Sequence, residues 1–387
     1  MTRLLDSVLN PQVHTLAWGT TDRAHTDFRS KLFLQNIFWK PLVTALGDVV
    51  TTPSTGMLAA MAGASLGDDV FQEDETTNEF QSLMAAQCGL EAGAFVVSGT
   101  MANQLAIRTL LTQLPCGVLV DSRAHVVHFE GGGLGMSGAS IQTVRPSNGR
   151  YLVLEDIMSR ALVTDDVHKC PTRVISIENT AGGSVVPFAE LRRIREWADR
   201  NHIMVHMDGA RLWEAVAAGG GSLPDYCTLC DLVSVDFSKN LGAPMGAMVL
   251  GSAQLIAQLR RIRKSLGGAL RQSGPLAAAA QFAFLEQFGL GPWGSRGKLR
   301  AVHLLAKQVS QMWVDLGGEL LREVETNQVW VNLNKANIAV DRWNALGSKY
   351  GVKLEGKRIV LHHQISALAV DQLGLVFRDA LKLRPNL

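Results

Sequence analysis

The chain has no stretch of about twenty uninterrupted apolar residues, so no segment of it reads as a membrane-spanning helix. Charge is also sparse. Charged residues make up 19% of the 387, and 37 Lys and Arg against 35 Asp and Glu leave a formal net charge of only +2. Without a basic excess or a basic stripe, neither nucleic acid nor an anionic membrane surface is expected as a partner. Cysteines are few and odd in number, Cys88, Cys116, Cys170, Cys227 and Cys230, which argues for reduced thiols rather than a disulfide framework. Cys227 and Cys230 have C-x-x-C spacing, but no second pair follows at zinc-site spacing, so half of a tetrahedral ligand set is missing. The opening MTRLLDSVLN has one arginine and an apolar run broken by Asp6, too weak for a secretory signal. A cytoplasmic enzyme acting on a small molecule is the expectation left standing.

Hydrophobic residues form 47% of the chain, enough for one large and one smaller core. Short apolar runs alternate with helical patterns from about residue 90 to 250, which predicts a mostly parallel sheet covered on both faces. Strands are expected at 94–97, 117–121, 140–144, 173–177, 203–207 and 232–237. A helix over 75–88 is expected to be capped by Thr76 or Thr77. Near Gly291 the texture changes to GPWGSRGK, and the remainder reads as helices with two short strands. The predicted organisation is an N-terminal segment over 1–56, a large domain over 57–290 and a small α+β domain over 291–387.

Two strand ends carry the chemistry. The strand ending at Met207 delivers Asp208 and, after a small-residue turn, Arg211; the strand ending at Phe237 delivers Ser238 and Lys239 into a Gly and Pro loop. A lysine at a strand end, desolvated by an apolar sheet, can lose its proton and attack a carbonyl. Pyridoxal phosphate is the natural aldehyde, since it needs a lysine for its covalent link and a carboxylate to keep its ring nitrogen protonated. Taken singly, Asp208 is more simply a helix cap and Lys239 a solvated loop residue.

Gly99, Thr100 and Met101 open a helix directly after a strand, a geometry in which free amides and the helix dipole attract an anion such as a phosphate. Gly133, Gly135 and Gly138 spell G-x-G-x-x-G, but they run into a strand instead of opening a helix, which excludes a dinucleotide fingerprint.

The DGAR turn at 208–211 and the SKNLGAP loop at 238–244, together with HTDFRS at 25–30 and the TTPSTGM segment at 51–57, resemble the low-specificity L-threonine aldolase family of pyridoxal phosphate enzymes. The resemblance covers nearly the whole chain beyond the first twenty or so residues. It implies the aspartate aminotransferase-like fold type I of α/β class. It also implies cleavage of β-hydroxy-α-amino acids such as threonine to glycine and an aldehyde. By the same resemblance, Lys239 holds the cofactor, Asp208 faces its ring nitrogen, His125 stacks on the ring, Gly99, Thr100 and Met101 seat its phosphate, and Arg271 lies close by. Arg358 and Arg211 grip the substrate carboxylate, with Ser30 and Lys264 also near the substrate. His168 matches a histidine brought near the substrate, and Glu130 orients its neighbours. The β-hydroxyl proton is left with three possible acceptors: His125, His168 or a water between them. Contributions across a subunit interface imply a homodimer or homotetramer.

The chain departs from the family at two places. Gln72 stands where the family has a glycine, and 31–47 separate Ser30 from Asp48, which the family keeps adjacent. That insert is either a genuine elaboration or a translated non-coding segment. Two rivals follow: amino-acid (alanine) racemisation on the same scaffold, and a cofactor-binding homologue impaired by the insert.

Overall fold

A computed structural model describes residues 47–294 and 297–382. Seven strands form the central sheet: β1 (Ala92–Val96), β2 (Gly117–Asp121), β3 (Ser140–Val144), β4 (Thr172–Glu178), β5 (Met204–Gly209), β6 (Leu232–Asp236) and β7 (Ala247–Gly251). Their order is β1-β7-β6-β5-β4-β2-β3. β7 is antiparallel to both neighbours and every other pairing is parallel, as the alternating strand and helix pattern predicts. Consequently the carboxyl ends of β1, β2, β4, β5 and β6 open on one edge of the sheet. That edge is where an open α/β sheet holds its ligands.

Two-residue alternation sends side chains to opposite faces, and both faces are buried. Ile175, Ile177, Val205, Met207, Val233 and Val235 enter one core. Val118, Val120, Val174 and Leu232 enter the other, against the helix Gly99–Leu110. This second face also carries Ser176, Glu178, His206, Asp208, Ser234 and Asp236. Close to the strand ends, therefore, the sheet face turns from apolar to polar.

The helix Glu75–Cys88 spans its expected range, but its cap is Asp74, whose side chain accepts the Thr77 N–H at 2.9 Å. Thr77 lies inside the first turn and its hydroxyl bonds Ser273 Oγ at 2.8 Å instead. A carboxylate one residue before the helix meets the free amides best, which the threonine pair had obscured.

Beyond the sheet, the helix Gly297–Asp315 leads to an antiparallel pair, β8 (Gln328–Trp330) and β9 (Arg358–Val360), with helices Val340–Lys349 and Ala367–Leu381. Trp313, Trp343 and Phe377 pack there edge-on and stacked, with centroids 5.1 to 5.9 Å apart. All five cysteines are unpaired. Among the described residues no helix is long and apolar enough to cross a membrane.

Candidate active site

The lysine loop begins where β6 ends. Phe237 is fully buried and anchors the turn, so the two following residues emerge at the sheet edge. Asp236 Oδ1 accepts the Ser238 N–H at 2.7 Å and its hydroxyl at 2.6 Å, which bends the chain; Oδ2 receives Lys239 Nζ at 2.7 Å. Burial raises the Asp236 carboxyl, but the Lys239 cation and the Ser238 bonds outweigh it, leaving the group below its ordinary value. Gly99 must be a glycine here, since a Cβ would stand 2.8 Å from Asp236 Oδ2. The loop is tied down on two more sides. Thr51 Oγ1 donates to Lys239 O at 2.7 Å, and His363 Nδ1–H donates to Asn240 O at 2.8 Å.

Asp208 is the penultimate residue of β5, beside Glu178 of β4, its partner in register. Gly209 lets the chain turn close to β6, because a Cβ would meet Ser234 O at 2.7 Å. Asn103, four residues into the helix that begins at Gly99, reaches down to the same edge. Its Nδ2 donates to both Asp208 Oδ2 and Glu130 Oε1 at 2.9 Å. Gln104 bonds the other oxygen of Glu130, and Glu130 Oε1 also holds His125 Nδ1 at 2.9 Å. That bond raises the His125 pKa, burial opposes it, and the Asp208 charge adds to the rise. One nitrogen of the ring is thereby committed, and the ring remains 45% exposed. Ligand atoms of His125, Glu130 and Asp208 lie within 4.8 Å of one another, near enough to share a cation, but hydrogen bonds within the chain already link them.

Glu178 accepts the His125 backbone N–H at 3.0 Å. Burial and the adjacent Asp208 charge push its carboxyl up to about 7. Beneath this acidic row lies a neutral one, in which His206 bridges Ser176 Oγ at 3.0 Å and Ser234 Oγ at 3.1 Å. Desolvation lowers His206 to about 4, so it is uncharged at neutral pH.

Arg211 caps the next turn and meets Asp48, which is fully buried, through two bonds of 2.7 and 2.8 Å. Asn327 donates a third bond to Asp48 at 3.1 Å. Arg358 opens β9 with its guanidinium 5.8 Å from the Trp330 ring centre. Desolvation and then the Arg211 charge lower its pKa, while Asp48 and Glu178 pull the other way, which places all four in one electrostatic neighbourhood.

At the start of the Gly99 helix, Ser98 Oγ already accepts the Met101 N–H at 3.1 Å. Gly99 and Thr100 therefore carry the amides left for an anion. A cavity of about 280 Å³ opens there, lined by Ser98, Thr100, Met101, Gln104 and Arg263 among others. Sheet edge, lysine amine, carboxylate and helix start together suit pyridoxal phosphate. Asn103 Oδ1, at the other end of the amide from its bonds to Asp208 and Glu130, is buried without a hydrogen-bond partner.

Three expected residues are largely exposed to solvent. His168 stands four residues before β4, at the amino edge of the sheet, and β4 separates it from Glu178 by about 20 Å at the usual strand rise. Its side chain is 88% exposed and its Nδ1 meets Asp166 at 2.9 Å, so within one chain it is not brought to the site. Lys264 is exposed on its helix, and the neighbouring Arg263 is the one turned inward, to Asp69 at 2.7 Å. Arg271 pairs with Asp68 and is 60% exposed. Ser30 and positions 31–46 of the insert lie outside the described residues. Asp236 and Asn103 were overlooked, although Asp236 stands three residues before Lys239, and Asn103 four after Gly99.

Fold and site are those of a pyridoxal phosphate enzyme of fold type I, and Lys239 stands at the carboxyl edge of its mostly parallel sheet. A model of the beta-eliminating lyase family matches residues 46–336, and the chain belongs to that family of lyases. It is 50% identical over 374 residues to alanine racemase TOXG of Cochliobolus carbonum, covering 96% of this chain and 92% of that one. It is 40% identical over 335 residues to the low-specificity L-threonine aldolase of Eremothecium gossypii, covering 86% of each. Among solved structures, threonine aldolase from Leishmania major superposes with a TM-score of 0.70 at 17% identity, covering 87% of this chain and 99% of that one.

Proposed function

We propose that this enzyme cleaves L-threonine, L-allo-threonine and related β-hydroxy-α-amino acids to glycine and an aldehyde. The observation that carries the reading is the joining of Lys239, Asp208, His125 and the Gly99 helix start at one sheet edge, in a chain so similar to a threonine aldolase. Lys239 would hold the cofactor covalently, Asp208 its ring nitrogen, and Gly99 and Thr100 its phosphate. When bound, pyridoxal phosphate supplies an electron-accepting ring for the bond broken at Cα.

The chain's own residues do the rest. Arg358 binds the substrate α-carboxylate, because a guanidinium fork matches a carboxylate with two parallel bonds. Arg211, held rigid by Asp48, completes the clamp without free rotation. His125 keeps its proton on Nδ1, facing Glu130, so Nε2 is the nitrogen that takes the β-hydroxyl proton. That proton leaves oxygen as the Cα to Cβ bond breaks, and one proton is delivered to Cα to complete glycine. A cytoplasmic homodimer or homotetramer is part of this reading, and a cross-subunit role for Lys264 and Arg271 would agree with their exposure.

Racemisation of alanine is the second reading, favoured by the 50% identical relative of that name. Purified holoenzyme decides between them. Acetaldehyde release from L-threonine without interconversion of L- and D-alanine supports the aldolase, and the opposite pair of results overturns it. Loss of the visible cofactor band in Lys239→Ala tests the lysine itself.

A further inference from the structure

An unusual grouping of cations surrounds Trp330. The Arg322 guanidinium carbon lies 4.7 Å from the centre of the indole, and that of Arg358 lies 5.8 Å from the same centre. The indole is fixed, because Nε1–H donates to Gly182 O at 2.9 Å. Among the described residues neither arginine has a carboxylate at ion-pair distance. The acid nearest Arg322, Glu325, is already paired with Arg150. Among the described residues Arg322 makes one long contact, of 3.4 Å, to Gly182 O.

Surrounding charge does not relieve this. Burial lowers the Arg322 pKa, and Arg123 and Arg150 lower it further, with only Glu325 opposing. A partly buried guanidinium resting on an aromatic face among other cations is stabilised most by an arriving anion. In the aldolase reading, on which this inference rests, Arg358 takes the α-carboxylate, while Arg322, on the same indole, has no carboxylate partner among the described residues.

We propose that Arg322 and the Trp330 face form a second anion subsite on the indole that Arg358 also touches, so that the preferred substrates are β-hydroxy-α-amino acids bearing a carboxylate on the β-carbon. For 3-hydroxyaspartate the balance is simple. The Cα to Cβ bond breaks, the hydroxyl proton leaves oxygen, a proton is added at Cα, and glycine and glyoxylate are formed with no net oxidation.

The test has a binding arm and a turnover arm, both on the full-length holoenzyme. Calorimetric titration compares succinate, with two carboxylates, to propionate, with one, in wild type, Arg322→Gln and Arg322→Lys. Succinate is expected to bind about tenfold more tightly in wild type, as one charge-assisted pair provides. Arg322→Gln should remove that difference and Arg322→Lys should keep part of it. In turnover, Arg322→Gln should reduce kcat/KM for 3-hydroxyaspartate about tenfold and for threonine less than about threefold. An unchanged succinate to propionate ratio in Arg322→Gln, or equal losses on both amino acids, overturns the subsite. Absence of cleavage of either amino acid overturns the aldolase reading instead, and the titration then judges Arg322 by itself.

Discussion

Asp48 and Arg211 stand 163 positions apart in the chain and meet through two parallel bonds, Oδ1 to Nη2 at 2.7 Å and Oδ2 to Nε at 2.8 Å. Burial raises the Asp48 carboxyl, but Arg211 outweighs it and holds the group at about 2. Its folded pKa is therefore depressed, so its contribution to stability is present at neutral pH and is lost as pH falls from about 4 through about 2. Asp48→Asn leaves a buried guanidinium short of its counter-ion and should cost roughly 3 kcal/mol at pH 7. Urea unfolding checks this, and the variant should also lack the wild-type loss of roughly 2 kcal/mol between pH 4 and 2.

Lys239 Nζ donates to Asp236 Oδ2 at 2.7 Å, a contact between the amine and a buried carboxylate. Asp236→Asn keeps an oxygen for Ser238 but removes the charge that favours the protonated amine. The apoprotein of this variant should take up pyridoxal phosphate faster than wild type at pH 7, since the amine is no longer tied to a carboxylate. Growth of the visible band after mixing measures it. Equal rates at pH 7 would show that Asp236 does not govern the amine.

Glu178 is a carboxyl whose folded pKa, about 7, lies above its unfolded value. Between about 4.5 and 7 the folded state holds more protons than the unfolded, so this group's effect on stability becomes less favourable as pH rises through that window. Glu178→Gln removes the penalty. The variant should match wild type near pH 4 and exceed it at pH 8 by on the order of 2 kcal/mol, read from urea unfolding of the apoprotein.

His125 and His168 should separate cleanly in assay. His125→Ala should lower kcat/KM for threonine by about a hundredfold or more, as loss of a positioned proton acceptor does. His168→Ala, at the opposite edge of the sheet, should stay within about twofold. A comparable loss in both would place His168 in the site of a partner subunit.

Much of this site was legible because the chemistry clusters at strand ends. An apolar run that stops at Asp208, or at Phe237 before Ser238 and Lys239, already says that these groups leave a buried strand together. His125 and Arg358 needed the family resemblance, since a lone histidine or arginine has many uses. Residues that act across elements were harder to see. Asn103 reads as one polar position in an amphipathic helix, and only packing against β5 shows that it bonds Asp208 and Glu130. The basic run at 260–264 shows no inner face by composition; the 100° step per residue sends Arg263 inward and Lys264 to solvent.

The sequence by itself determined the strand and helix alternation, the lysine and aspartate pair, and the glycine start of the anion-binding helix. Each is a local property, set by apolar period and by residue type within a few positions. Only the tertiary structure decided which edge each loop reaches. A histidine before β4 and the glutamate that ends it are ten positions apart in sequence, and the extended strand puts them at opposite ends. The tertiary structure also decided that Asp48 locks Arg211, and that Arg322 and Arg358 share one indole. Such meetings depend on strand direction and on contacts between distant segments, which no local pattern encodes.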